Sequence, residues 1–486
     1  MTMFNRARSA IAGAAVLLLA LNACGTNPAT GQQSLLGMSE DQEVQVSKQE
    51  HPKILAEFGG EYDDPELQRY VTSLGELLAK TSERPDLPWK FTILDSPMVN
   101  AFALPGGYVY ITRGLLALAS NEAEVASVLA HEIGHVAARH SSQRQGRSTL
   151  VGLGAALAGI LTGSGQIAQM GNAIGAGYVQ KFSRDQELQA DTLGVRYMSR
   201  ANYDPNAAVT FLRKMQQETR LQAIEAGKDP DQAEQINWMS SHPRTADRVE
   251  QAIENAGVTQ VSNPIVEQDV YLSKIDGIVF GDDPDQGVIR GRTFVHPALG
   301  FEFEVPKGFQ IINQPQQVLA QAREGDGLIS FGQAKVEGSL RNWFLDHPKA
   351  QFEGVERIDV NGMEGATGVT QGAVNDEKAD LRVVLIRYDE DTVYQFIFAT
   401  PPGQDRYARA FRETTYSFRK LSRSEAQGFQ PERVQVVTVR SGDTVESLAR
   451  RMRGGDSEYA EEEFRLINGL DNNARLRPGQ KVKIVV

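Results

Sequence analysis

Val128-Leu-Ala-His-Glu-Ile-Gly-His-Val136 places His131 and His135 four residues apart with Glu132 beside the first of them. On a helix that spacing aims two imidazoles at one metal ion. Zinc suits neutral imidazole nitrogens, and Glu132 is placed to take a proton from water rather than to bind the metal. Just upstream, Asn121 can cap the helix with Glu124 at its third position, a capping-box pattern, and Val125, Val128, Leu129 and Val136 supply an apolar face. Zinc that keeps one position for water usually takes three protein ligands, so a third is expected downstream.

Phe182-Ser-Arg-Asp-Gln-Glu-Leu-Gln-Ala-Asp191 supplies a second helix, started by Ser183 and Gln186. Glu187 and Asp191 project from one face of it, while Leu188, Val195 and Met198 turn to the core. Two acids at this spacing usually form a solvated pair. Beside an incomplete metal site, Glu187 is assigned to the metal and Asp191 to a hydrogen bond with a ligand histidine. Ser241-His-Pro-Arg-Thr-Ala-Asp-Arg248 begins another helix. There His242 has three readings: a residue that starts the helix, a donor to a polarised carbonyl in the transition state, or a fourth ligand that closes the site to water.

The 486 residues accommodate two or three domains, and the net charge of -12 argues against a nucleic-acid partner. Arg6, Arg8, the apolar run Ile11 to Leu21 and Leu21-Asn-Ala-Cys24 have the parts of a secretory signal, and the run is too short to span a bilayer. This segment resembles a bacterial lipoprotein signal. The resemblance implies loss of residues 1–23 and acylation of Cys24, the one cysteine, as a membrane anchor; Gly25 after it favours the outer membrane. Residues 24–36 then read as a polar tether. Ser39 and Gln42 open a helix toward Phe58, and Asp64-Pro65 caps another with Tyr70, Val71, Leu74, Leu77 and Leu78 as its apolar stripe. Strands are expected at Phe91–Leu94 and Tyr108–Ile111. Between them Asn100-Ala-Phe-Ala-Leu-Pro-Gly-Gly107 is either a plain hairpin turn or a strand edge that binds an extended substrate through Asn100, Ala101, Phe102 and Ala103. The Gly/Ala-rich stretch 148–178 reads as a buried helical hairpin, a mobile lid or a membrane-contacting loop. Asp204-Pro205 caps a helix through Met215.

Taken together, His131-Glu-x-x-His135, Glu187-x-x-Ala-Asp191, Asn100-Ala-Phe-Ala-x-Pro-Gly-Gly107 and Ser241-His-Pro243 resemble the HtpX/Oma-type zinc endopeptidases, closest to the BepA-like periplasmic branch. The resemblance covers residues 37 to 260. It implies one zinc ion per chain held by His131, His135 and Glu187, with Glu132 as general base. It also implies that His242 and Arg248 lie near the metal as catalytic groups. The chain departs from the HtpX relatives in lacking their several membrane helices, and Ser241 stands where threonine is usual.

The expected architecture is multidomain: a mainly α, zincin-type (gluzincin) peptidase domain with a short sheet at 37–265, a linker at 266–290, an α+β domain at 291–421, a linker at 422–434 and a small βααβ module at 435–486. The α+β domain is read from strand alternation in Arg382–Arg387 and Val393–Phe398 with helices near Leu340–Leu345 and Asp405–Tyr416, and faintly resembles PsbP/Mog-type modules. Val437 to Ala449 and Leu476 to Ile484 resemble the opening and closing parts of a LysM module, which implies contact with peptidoglycan. The reading is a lipid-anchored envelope zinc endopeptidase acting on unfolded or misassembled proteins. Its rival is an assembly scaffold on peptidoglycan with a closed peptidase site.

Overall fold

A computed structural model describes residues 24–145, 182–225, 230, 248, 251, 254, 261–323, 325–374, 377–453 and 457–486. The expectations for residues 1–23, the stretch 148–178 and His242 lie outside the described residues. Chain contacts define two compact units, one of Met1–Leu55, Glu61–Phe280 and Arg433–Val486, the other of Ala56–Gly60 and Gly281–Glu432.

The first unit opens with an antiparallel hairpin of β1 (Cys24–Thr26) and β2 (Gln33–Leu35). The expected tether is thus partly strand, because Asn27 organises its turn: the Asn27 N–H donates to Gln32 O, and its Oδ1 accepts from the Ala29 N–H. Helix α1 (Glu40–Glu57) starts on the reciprocal Ser39–Gln42 pair, and α2 (Pro65–Ala79) on Asp64, whose carboxylate accepts two backbone N–H groups. Leu67, Val71, Leu74 and Leu78 bury the face of α2, whereas Leu77, expected in that stripe, is 43% exposed because it falls beyond the edge of this i, i+4, i+7 row.

Strands β3 (Lys90–Leu94), β4 (Ala101–Leu104) and β5 (Tyr108–Thr112) form a sheet in the order β3-β5-β4, with β3 parallel and β4 antiparallel to β5. The segment 100–107 is therefore strand and turn together, and β4 is an outer strand of the sheet. Gly106 makes the turn at φ +84°, where a Cβ would lie 2.7 Å from the Glu43 backbone. No larger residue fits there.

Helix α3 (Arg113–Leu118) leads through a short turn into α4 (Glu122–Ala137), the helix of the paired histidines. Every residue of α4 from Ala123 to Ala137 is buried, so it runs through the core instead of presenting one apolar face. Around it pack α2, β4, α5 (Arg184–Arg200) and α6 (Asn206–Glu225). The Ser183–Gln186 capping box of α5 is reciprocal, and α6 continues past Met215. Residues expected to begin a linker instead form α7 (Gln268–Ile275) and β6 (Val279–Phe280). Tyr271, Leu272 and Ile275 are buried in the main core, which the sparse acidic and glycine residues after Gly277 concealed.

In the second unit, β7 (Val288–Arg290), β8 (Thr293–His296) and β9 (Phe301–Glu304) join β17 (Arg419–Lys420) in a four-stranded sheet, order β17-β9-β8-β7. A seven-stranded antiparallel sheet is built from β10 (Phe309–Gln314), β11 (Gln317–Ala322), β12 (Leu328–Ala334), β13 (Glu353–Val360), β14 (Met363–Val374), β15 (Glu377–Arg387) and β16 (Val393–Thr400). Helix α9 (Ala408–Ser417) contributes Phe411 to an aromatic core with Phe301, Phe303, Phe331, Phe396 and Phe418, while α8 (Leu340–Leu345) packs Leu340 and Phe344 into a separate cluster with Ala366, Val383 and Leu385. The expected linker at 422–434 contains α10 (Arg423–Gln427), started by a reciprocal Ser422–Glu425 box.

The chain then rejoins the first unit as β18 (Glu432–Thr438), α11 (Val445–Ala449), α12 (Ala460–Asn468) and β19 (Lys481–Val485), the expected βααβ order. Its hairpin extends into a three-stranded sheet with β6, order β19-β18-β6, and its Val434 and Leu466 are buried in the core that surrounds α4.

Candidate metal centre

His131 and His135 on α4 and Glu187 on α5 present three ligand atoms within 4.8 Å of one another, all from buried residues. His131 Nε2 and His135 Nε2 are 3.0 Å apart, and Glu187 oxygens lie 3.4 Å from His135 Nε2 and 3.7 Å from His131 Nε2. Donors bound tetrahedrally at about 2.0–2.1 Å would be about 3.3 Å apart, so this set fits a zinc ion with little movement. Glu132 is buried on the same helix, next to the first imidazole.

Two glycines let the helices approach closely enough for this. A Cβ at Gly134 would stand 3.0 Å from Ala190 O on α5, and one at Gly194 would stand 3.2 Å from His131 N on α4. Gly134→Ala is expected to cost about 1–3 kcal/mol by overpacking and to loosen zinc by parting α4 from α5. Thermal unfolding with and without zinc measures both effects; unchanged values would mean that the helices yield without moving the ligands.

The surrounding groups set the imidazole orientation. Asp191 Oδ1 lies 2.9 Å from His131 Nδ1, which directs the His131 Nε2 lone pair to the metal position. Arg248, fully buried, donates from Nε to Asp191 Oδ2 at 2.7 Å and from Nη1 to Glu187 Oε2 at 2.8 Å. Those contacts tie Arg248, expected near the metal, to both carboxylates. On the other side His140 Nδ1 is 2.9 Å from His135 Nδ1, and its Nε2 is 2.8 Å from Gln189 Oε1, which also accepts from Asn27 Nδ2 at 3.2 Å. Gln189 Oε1 can only accept, so His140 carries its proton on Nε2 and accepts from the Nδ1–H of His135, leaving His135 Nε2 for the metal. The sequence reading missed His140 and Gln189. The signal for them was a histidine five residues past His135 and an amide two residues past Glu187.

Both ends of α4 are anchored. At its C-terminal end Arg84 Nη1 donates to Val136 O, and Glu43 bridges Arg84 and Arg139 at 2.9 Å each. At its N-terminal end Asn121 Oδ1 accepts from Glu124 N as expected, but the Glu124 carboxylate does not return to the Asn121 N–H. It accepts instead from Ser120 N at 2.8 Å and Lys214 Nζ at 2.7 Å, since a buried ammonium is the stronger partner. Among the substrate-edge residues, Asn100, Ala101 and Phe102 are buried, Ala103 is half-buried, and Asn100 Oδ1 has no hydrogen-bond partner among the described residues. Strand β4, which carries three of them, packs against α4.

Two helices that bring two imidazoles and a carboxylate to one point, with a further glutamate beside the first imidazole, define a metal centre of the hydrolytic H-E-x-x-H class. Residues 65–256 match peptidase family M48, and residues 437–485 match the LysM domain. The chain therefore carries a peptidase family M48 domain followed by a LysM domain. It is 29% identical to the mitochondrial metalloendopeptidase OMA1 of Schizosaccharomyces pombe over 46% of this chain and 63% of that protein. It is 34% identical to a putative beta-barrel assembly-enhancing protease of Vibrio cholerae over 40% of each chain. The beta-barrel assembly-enhancing protease of Escherichia coli K12 is 30% identical over 44% of this chain and 43% of its own length. The chain thus spans less than two thirds of each of these relatives. Among solved structures, cyanobacterial PsbP (CyanoP) from Synechocystis sp. PCC 6803 aligns over 28% of this chain and 98% of its own at 15% identity, with a TM-score of 0.22, too low to support the expected PsbP-type likeness of 291–421.

Proposed function

We propose that this chain is a zinc-dependent endopeptidase of the bacterial cell envelope that hydrolyses unfolded or misassembled proteins, anchored in a membrane through acylated Cys24, with the outer membrane favoured. Contact of the LysM domain with peptidoglycan belongs to the same proposal. The observation that carries it is the convergence of His131, His135 and Glu187 beside Glu132 in the buried heart of an M48 domain. His131 Nε2, His135 Nε2 and a Glu187 oxygen would hold the zinc, which when bound supplies Lewis acidity toward the scissile carbonyl. Glu132 takes the proton of the attacking water and returns it to the leaving amine. Asp191, Arg248 and His140 keep the ligand side chains oriented. Strand β4, last in the order β3-β5-β4, is the element assigned to hold a substrate in extended form, which would select unfolded chains over folded ones. Among the described residues no helix is long and apolar enough to cross a membrane.

The test is cleavage of casein by the purified full chain. Hydrolysis is expected to vanish on removal of metal with a chelator and to return with stoichiometric zinc. Full zinc occupancy without cleavage of any flexible protein would favour the assembly-scaffold reading instead.

A further inference from the structure

The LysM domain is fastened to the peptidase domain by a buried lysine. Lys483, on β19, is fully buried, and its Nζ donates to the carbonyls of Ala117 at 2.6 Å, Leu118 at 3.1 Å and Ala119 at 2.6 Å. Ala117 and Leu118 end α3 and Ala119 follows as its C-cap, so these carbonyls lie at the end of a helix, where backbone acceptors lack partners and a cation is favoured. Three carbonyls need three N–H donors, which the ammonium form of lysine has and the neutral amine lacks. The turn they belong to is the one from which the metal helix α4 starts.

A second buried ammonium acts on the same turn. Lys214 Nζ on α6 donates to Ser120 Oγ at 2.6 Å, Glu124 Oε2 at 2.7 Å and Leu118 O at 3.3 Å. Burial lowers the pKa of both lysines; Glu124 draws that of Lys214 back up, while Lys214 lowers that of Lys483 further. Two cations side by side out of water are costly, and they persist only where several acceptors face them at once. Ser120 Oγ in turn donates to Ile467 O of α12 at 3.4 Å, and a Cβ on Gly469 would lie 3.2 Å from that hydroxyl. With Val434 and Leu466 in the peptidase core, the LysM domain meets the α3–α4 turn with both its last helix and its last strand. An independent wall-binding appendage would need no such polar contact buried on the far side of a catalytic helix.

We propose that Lys483 is a positioning residue of the peptidase: the LysM domain clamps the turn 117–120 and thereby sets the seating of α4, and with it His131, Glu132 and His135. This rests on the peptidase reading for its catalytic consequence only, because α4 order and zinc affinity are measured without turnover. It also makes the LysM domain a fixed part of the enzyme, so that any glycan it holds keeps the metal centre at a set distance and orientation.

The experiment compares the full-length wild type with Lys483→Met, which is unbranched, one atom shorter and without donors, and with Lys483→Gln, which restores two N–H groups. In Lys483→Met, amides 118–128 should exchange with solvent about tenfold faster while amides of the LysM core near Leu448 and Phe464 keep their protection. Zinc affinity, read by chelator competition, should weaken about tenfold and kcat should fall about tenfold with KM little changed, the scale of losing a group that orients metal ligands. Lys483→Gln should recover part of each. If the clamp only stabilises the fold, the folded fraction of either variant would keep wild-type kcat, zinc affinity and α4 exchange, which overturns the proposal. Global unfolding of Lys483→Met with Lys483→Gln indistinguishable from wild type would overturn it as well. Altered exchange and zinc affinity in a protein that never cleaves casein would uphold the clamp and sink the peptidase reading.

Discussion

Glu132→Gln is expected to retain zinc, fold and thermal stability while losing peptide hydrolysis by a factor on the order of 10² to 10⁴, the contribution of a positioned general base. The amide has almost the shape of the carboxylate, and its neighbours on α4 are buried on all sides, so the substitution changes little besides basicity. In the proposed mechanism, what disappears is the group that accepts the proton of water and hands it to the leaving nitrogen. Turnover of casein at matched zinc content measures the effect. Wild-type turnover in this variant would assign the base to another residue.

The opposite division of effects is expected for Glu187→Ala. Loss of one of the three proposed ligand side chains should weaken zinc by about 10² or more, beyond the usual loss for a group that merely orients a ligand. The variant also strands part of a fully buried guanidinium, because Arg248 Nη1 donates to the Glu187 carboxylate at 2.8 Å. Removing one partner of a buried ion pair commonly costs about 3–5 kcal/mol, and the remaining contact of Arg248 with Asp191 places this case near the lower figure. Chelator competition and thermal unfolding of the apo form read the two losses separately. Unchanged zinc affinity would require a different third ligand, whereas unchanged apo stability would mean that Asp191 alone satisfies the guanidinium.

The residues that the sequence marked by itself are those whose role follows from local geometry. An i, i+4 pair of histidines and an i, i+4 pair of acids face one way on any helix, so His131 with His135 and Glu187 with Asp191 were legible as pairs. The helix starts at Ser39, Asp64 and Ser183 were legible for the same reason, since a cap is made within four residues. The segment 100–107 likewise showed its Pro-Gly-Gly turn and had a strand edge as one of two readings; pairing with Tyr108–Thr112 decided that Ala101–Leu104 is a strand.

Tertiary structure settled whatever depended on partners far along the chain. Glu124 had the spacing of a capping-box acid, yet a lysine ninety residues away holds its carboxylate. Residues 266–280 had the composition of a linker, yet Tyr271 and Ile275 fill the core beside α4. His140 reads as one more polar residue until Gln189, reached across two helices, fixes which of its nitrogens carries the proton. Lys483 lies in an alternating strand as an ordinary polar position, and only the fold brings it to three carbonyls more than 360 residues earlier. Local patterns record which face a side chain takes on its own helix or strand; what that face meets is set by packing, and a buried charge gives no local sign of the acceptors that make its burial tolerable.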